Sequence, residues 1–367
     1  MNDVREPRCW AEINVGALRH NAAVAHKRSG ADVGLLAVIK ANGYGHGLAA
    51  VAKALEQEAQ LFGVANVDEA IETRRAVPHP VIILGPALPS ERAEIVERGF
   101  IASVSSSEEA REFSDLARDT PAAVACVIDT GMGRMGLTES AAVSEVQKIA
   151  ALPGVTIHSV SSHLPSADDD AEYTSEQLAR FSQLVAQIRT AVPGSYLVHA
   201  LPSAGVLGSN ASGFDIARVG LMLYGISPLS AFQPLLIPAM TLKTRVALVR
   251  ELPAGSSVSY GRTFVTQRPT RVATISAGYA DGVPRALSNR GHVLIRGGRC
   301  RIIGRVTMDL IMVDVTEISS VAVGDEVVLI GRQNEEQILA REVAERASTI
   351  AWEIFTGIGS RVARVYV

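Results

Sequence analysis

The sequence predicts an α/β fold: an N-terminal (β/α)8 TIM barrel over residues 1–238, followed by a C-terminal, mainly antiparallel β domain over residues 239–367. Three observations carry this. Eight short apolar runs alternate with amphipathic stretches through the first two-thirds of the chain. These runs are rich in Val, Ile and Ala at nearly every position, as strands covered on both faces must be. After Pro238 the pattern changes to short strands broken by Gly, Pro and Asp turns.

The eight expected barrel strands are 33–39, 61–65, 81–84, 100–104, 122–128, 155–161, 196–200 and 214–219. A helical pattern at 17–27 precedes the first. Helical patterns at 48–58, 67–75, 90–98, 107–117, 141–151 and 172–192 fill the gaps, and only the gap before the eighth strand is too short for a long helix. A doubly wound open sheet uses the same alternation, but a count of about eight units favours the closed barrel. In the second part the expected strands are 242–252, 271–276, 293–296, 301–306, 311–315 and 326–330, with a helix at 338–347 and a returning strand at 361–367. A strand near the N-terminus is expected to join this β domain. No internal repeat interrupts the reading.

Composition narrows the function classes. The chain has 367 residues, 47% hydrophobic and 20% charged, enough for a sizeable core and two domains. A formal net charge of −3 argues against a nucleic-acid partner. Cys9, Cys126 and Cys300 are far apart and lack metal-ligand spacing, so no metal is expected and reduced thiols in the cytoplasm are the simple reading. The polar start of the chain does not read as a signal peptide. No apolar run is long enough to span a membrane.

Barrel enzymes place their chemistry at the C-terminal ends of the strands. Lys40 ends the first strand, in Val38-Ile39-Lys40-Ala41-Asn42-Gly43-Tyr44-Gly45-His46-Gly47. Burial there would lower the pKa of its amine, and a neutral amine is what carbonyl chemistry needs. Arg134 follows the fifth strand, His163 the sixth and Ser203 the seventh, while Arg218 and Gly220 end the eighth. Each has an ordinary alternative: a surface arginine on a Gly-rich turn, a structural histidine, a helix cap, an arginine paired with Asp215. Their joint placement on one rim is harder to dismiss. The loops after strands seven and eight are also where barrels often hold a phosphate.

The run around Lys40 closely resembles the pyridoxal-phosphate attachment site of alanine racemases. So do Asp129-Thr130-Gly131-Met132-Gly133-Arg134, Arg218-Val219-Gly220 with Tyr224-Gly225, Gly278-Tyr279-Ala280-Asp281-Gly282 and Gly304-Arg305-Val306-Thr307-Met308-Asp309. The resemblance runs from the N-terminal strand to Arg361. It implies a barrel plus C-terminal β domain and a homodimer whose sites are shared between subunits. It also implies pyridoxal 5′-phosphate bound covalently to Lys40, and alanine as substrate, with D-alanine supplied for peptidoglycan.

The resemblance also assigns roles. Tyr44 and Ser203 would hold the phosphate with backbone N–H groups near Gly220 and Leu221. Arg134 would reach the cofactor's phenolic oxygen and the substrate carboxylate, and the Met308 backbone N–H would hold that carboxylate too. Arg218 would face the pyridine nitrogen. A permanent donor there keeps that nitrogen unprotonated, which weakens the ring as an electron sink and favours return of the proton to the α-carbon. Lys40 and the partner subunit's Tyr279 would be bases on opposite faces, as inversion requires. An ordinary tyrosine titrates near ~10. His163 against Tyr279, with Arg218 behind it, would stabilise the phenolate.

Three positions depart from the family pattern. Val127 stands where many members carry a carbamylated lysine that orients the Arg134 equivalent, and a chloride or another acid would have to substitute. Pro202 replaces an asparagine that supports Arg218. Ser360 stands where a phosphate-binding tyrosine is common. Two other readings stay open: a pyridoxal-phosphate decarboxylase on the same fold, expected to carry an acid in place of Arg218, and a cofactor carrier without turnover, expected to lack the β domain.

Overall fold

The computed structural model describes residues 7–118, 120–209 and 213–367. The chain divides into two compact units.

One unit comprises Leu18–Gly43 and Leu48–Ile237. Its sheet is a path of eight parallel strands: Gly34–Val38, Leu61–Val64, Val81–Pro86, Ile101–Val104, Ala122–Asp129, Val155–Ser161, Leu197–His199 and Ile216–Val219. The last strand pairs in parallel with the first, Arg218 opposite Leu36. The seventh and eighth are joined by loop backbone rather than a ladder, through Asp215 N–H to Val198 O at 2.9 Å and Arg218 N–H to Leu201 O at 3.0 Å. The result is a nearly closed eight-stranded barrel, as the apolar runs predicted. Its strands are buried along most of their length because helices cover one face and the barrel interior the other.

Helix starts follow local chemistry. Asn66 caps Val67–Ala76 by accepting from Glu69 N–H at 3.0 Å, and Ser106 caps Ser107–Leu116 in the same way through Glu109 N–H. The helix expected at 48–58 stops at Ala54. The short gap before the eighth strand holds a single short helix, Ser203–Gly208.

The other unit comprises the residues up to Ala17, Tyr44–Gly47 and Pro238–Val367. Its spine is Met240–Leu252, which pairs antiparallel with Cys9–Ile13, Thr270–Ile275 and Glu326–Gln333. Cys9–Ile13 also pairs in parallel with Ala363–Tyr366. One expected strand is wrong. Residues 301–306 do not form a strand; the strand is Gly298–Arg301, in a hairpin with His292–Ile295. Arg296 and Gly297 form the turn, both with positive φ (53° and 79°), which matches the strands' twist. Gly304, at φ 74°, stands beyond the end of that strand. The helix Ala340–Ala347 lies within the span predicted for it, and a second helix, Ala351–Thr356, was not foreseen.

Candidate active site

The site is built first at the barrel rim. Lys40 follows the strand Gly34–Val38, and the chain then turns in the left-handed region: Ala41, Asn42 and Gly43 have φ of 53°, 54° and 60°. Gly43 N–H closes the turn on Ile39 O at 2.8 Å. A side chain at Gly43 would press on Val51 and the Leu48 backbone within 3.4 Å. Lys40 is half-buried, and burial, then the charges of Arg134 and Arg218, hold its amine below the ordinary lysine value, with Glu69 opposing.

Arg134 is presented by a turn that Asp129 organises. The Asp129 carboxylate accepts the backbone N–H groups of Gly131, Met132 and Gly133 at 2.8–3.1 Å. Burial works against the charged form of Asp129, but those three bonds and Arg134 outweigh it and hold the carboxyl below its usual range. Gly131 sits at φ 136°, and a side chain there would collide with the Tyr173 hydroxyl. Arg134 is exposed and makes no hydrogen bond or ion pair among the described residues.

His163 stands on the loop after Val155–Ser161, with Nδ1 buried and without a hydrogen-bond partner. Burial, then Arg218, Arg134 and Lys40, push its imidazole down to about 3, so it is neutral at physiological pH. Arg218 donates from Nη1 to Ser162 O at 3.1 Å. That bond supports the guanidinium where Pro202 has no side-chain donor or acceptor to offer. Asp215 faces Arg189 and accepts Val198 N–H. Arg134, His163, Arg218 and Val127 line one small cavity with Asp129 and His199, and Asp129 is the only acid among its described lining residues.

After the seventh strand, Ser203 Oγ accepts two backbone N–H groups, Gly220 at 3.1 Å and Met222 at 3.3 Å. Leu221, between those two amides, has a buried side chain. With both bonds accepted, the hydroxyl keeps its own proton to donate to an anionic oxygen.

The remaining sequence-predicted residues belong to the β unit. Tyr44 is buried, with its carbonyl 2.8 Å from His46 Nδ1. Tyr279 begins the single turn Tyr279–Asp281, and its N–H bonds Thr307 O at 3.0 Å while Ala280 N–H bonds Met308 O at 3.0 Å. Gly278 is required there, since a Cβ would lie 2.3 Å from Met308 O. Tyr279 is 44% exposed and Met308 53% exposed. Ser360, in the tyrosine's place, is exposed.

Several residues that shape the rim escaped the sequence reading. Gln177 is fully buried in Ala171–Ala191, and its Nε2 donates to Thr130 Oγ1 at 2.8 Å and His163 O at 3.0 Å. It ties the Arg134 turn to His163. His199 is buried beside Arg218 and held well below the ordinary histidine value, by burial first and then by Arg218. Nothing local marks either residue. The role of Asp129 was also missed, though it had a signal: Asp followed by Gly-rich sequence is the signature of a side chain bonding its own backbone.

The barrel and its rim, with one depressed amine, two guanidiniums and a neutral imidazole, define a TIM-barrel enzyme. Residues 13–228 match the family model for the alanine racemase N-terminal domain, and residues 239–366 the one for the alanine racemase C-terminal domain. The chain is 40% identical to alanine racemase of Methylacidiphilum infernorum, over 98% of this chain and 93% of that one. It is 41% identical to alanine racemase of Halothermothrix orenii, over 97% and 96%. Among solved structures, alanine racemase of Streptomyces lavendulae superposes with a TM-score of 0.93 at 34% identity, covering 99% and 98% of the two chains. That of Bartonella henselae, with covalently bound pyridoxal phosphate, gives 0.89 at 30%, covering 99% and 100%. That of Bacillus anthracis, with bound L-Ala-P, gives 0.91 at 33%, covering 99% and 96%. The chain belongs to the alanine racemase family.

Proposed function

We propose that this chain interconverts L-alanine and D-alanine on pyridoxal 5′-phosphate bound at Lys40. The observation that carries the reading is the state of Lys40: a half-buried amine at a barrel mouth, held below its ordinary value by burial and two arginines. A neutral amine is the form that adds to an aldehyde.

The residues fit the cofactor. Ser203 with backbone N–H groups near Gly220 and Leu221 would hold its phosphate, with Tyr44 as the further phosphate ligand, and Arg218 would face its ring nitrogen. When bound, the cofactor would delocalise the electron pair left at the substrate α-carbon. Lys40 takes or returns the α-carbon proton on one face. The partner subunit's Tyr279 does so on the other, since inversion needs bases on two faces. His163 is neutral and brings no charge of its own to the phenol; the positive charge behind it is Arg218. Arg134, without a hydrogen-bond or ion-pair partner among the described residues, is available to the substrate carboxylate, as is the Met308 backbone N–H.

The reading includes a homodimer. A proton-transfer tyrosine left 44% exposed in the single chain supports a site completed by a second copy. The three cysteines are free and buried, which suits a reducing cytoplasm, where D-alanine would feed peptidoglycan synthesis. No described helix is long and apolar enough to cross a membrane.

Purified protein should be yellow and should racemise L-alanine in a polarimeter cell. Tyr279→Phe should keep the colour and lose on the order of 10²–10⁴-fold in turnover. Release of carbon dioxide, colour without turnover, or an unimpaired Tyr279→Phe would each overturn this assignment.

A further inference from the structure

The backbone just after Lys40 is held in a conformation that side chains resist. From Ala41 through Gly45 every φ is positive, at 53°, 54°, 60°, 50° and 75°, and three of the five residues are not glycine. Left-handed backbone at such residues persists only where the surroundings over-determine it. Here the second residue, Asn42, is held at both ends. Its Oδ1 accepts Leu48 N–H at 2.9 Å, and its own N–H donates to Glu69 Oε1 at 3.1 Å. The other carboxylate oxygen of Glu69 accepts Ala65 N–H at 3.0 Å, just past the second barrel strand. Glu69 is itself fixed, because its N–H bonds the Asn66 side chain at the helix start. One carboxylate therefore bridges the loop after Lys40 and the mouth of the neighbouring strand.

The same group matters electrostatically. The charged and titratable groups acting on Lys40 are Arg134 and Arg218, which oppose its protonation, and Glu69, which favours it; the nearby His163 is neutral.

We propose that Glu69 is a positioning residue for Lys40: its carboxylate clamps the left-handed turn to the next strand end and supplies the negative charge that offsets the two arginines. The proposal deepens the assignment of Lys40 as the cofactor-binding amine and rests on it. A base that must both give and take a proton needs a pKa near the working pH. Two uncompensated guanidiniums would leave the amine a poor acceptor.

The test uses the full-length protein stripped of cofactor. Trace labelling of amines with acetic anhydride, from neutral to alkaline pH, gives the midpoint for the Lys40 peptide by mass spectrometry. In Glu69→Gln the midpoint should move to lower pH by about half a unit, raising labelling below it about threefold. Glu69→Asp keeps the charge and should restore the midpoint. Hydrogen exchange of the peptide covering residues 41–45 should quicken in Glu69→Ala. A packing role alone would move exchange and leave the midpoint in place. An unmoved midpoint in Glu69→Gln, with borohydride trapping the cofactor on Lys40 in the wild type, overturns the role of Glu69 and leaves the cofactor assignment standing. Cofactor trapped on another residue overturns that assignment and this proposal together.

Discussion

Arg361 grips Asp281 with two parallel hydrogen bonds, Nε to Oδ1 at 2.7 Å and Nη2 to Oδ2 at 2.8 Å, and reaches Asp309 with Nη1 at 2.9 Å. Asp281 is buried and also accepts Gly278 N–H at 2.9 Å. One planar guanidinium thus joins the turn that carries Tyr279 to the loop that carries Met308. Only arginine offers that fork; lysine is a point charge.

Arg361→Lys should therefore cost turnover more than cofactor. We expect kcat/KM to fall on the order of 10- to 100-fold, as for a small misplacement of reacting groups. Cofactor retention should be unchanged, because Arg361 holds Asp281 and Asp309 rather than the residues assigned to the cofactor. Steady-state kinetics beside the visible absorbance of the dialysed protein decide it, and wild-type kcat/KM in the variant would refute the clamp.

Ser203→Ala should weaken the hold on the phosphate. It removes a hydroxyl and leaves the Gly220 and Met222 amides without the oxygen they share. Loss of one such bond corresponds to ~1–2 kcal/mol, or roughly a tenfold rise in the dissociation constant for pyridoxal phosphate. Equilibrium dialysis against the cofactor measures this directly. An unaltered constant would place the phosphate elsewhere.

The depressed imidazole of His163 sets a pH window for stability. Above its ordinary value of 6.5 neither the folded nor the unfolded chain protonates it, so it contributes no slope. Below 6.5 the unfolded chain binds a proton that the folded chain refuses until about 3, so stability falls as pH falls across that range. His158 and His199 are shifted in the same direction by burial and add to the slope. Urea unfolding at a series of pH values should show a shallower acid limb in His163→Gln than in the wild type. Parallel limbs would mean that His163 is protonated in the folded protein.

Legibility in the sequence differed by element. The barrel strands were readable because a strand covered on both faces is apolar at consecutive positions, and that run is local. Strand ends then pointed to Lys40, Arg134, His163, Ser203 and Arg218 without any knowledge of contacts. The segment 301–306 misled because its apolar residues lie past the true strand. The hairpin partner of His292–Ile295 is set by the turn at Arg296-Gly297, whose backbone requirement outweighs apolar content. Gln177, Glu69 and His199 were invisible for another reason. Each sits in an unremarkable helix or strand, and its role comes from atoms that the fold delivers from elsewhere in the chain.

Residue order alone was enough for the architecture, the rim residues and the family, since periodicity, strand ends and motifs are properties of neighbouring positions. Which charges surround Lys40, why His163 is neutral, which amides meet on Ser203 and what ties the Tyr279 turn to Asp309 were settled only in three dimensions. Electrostatic and hydrogen-bond energies depend on distance through space, and spacing along the chain does not report it.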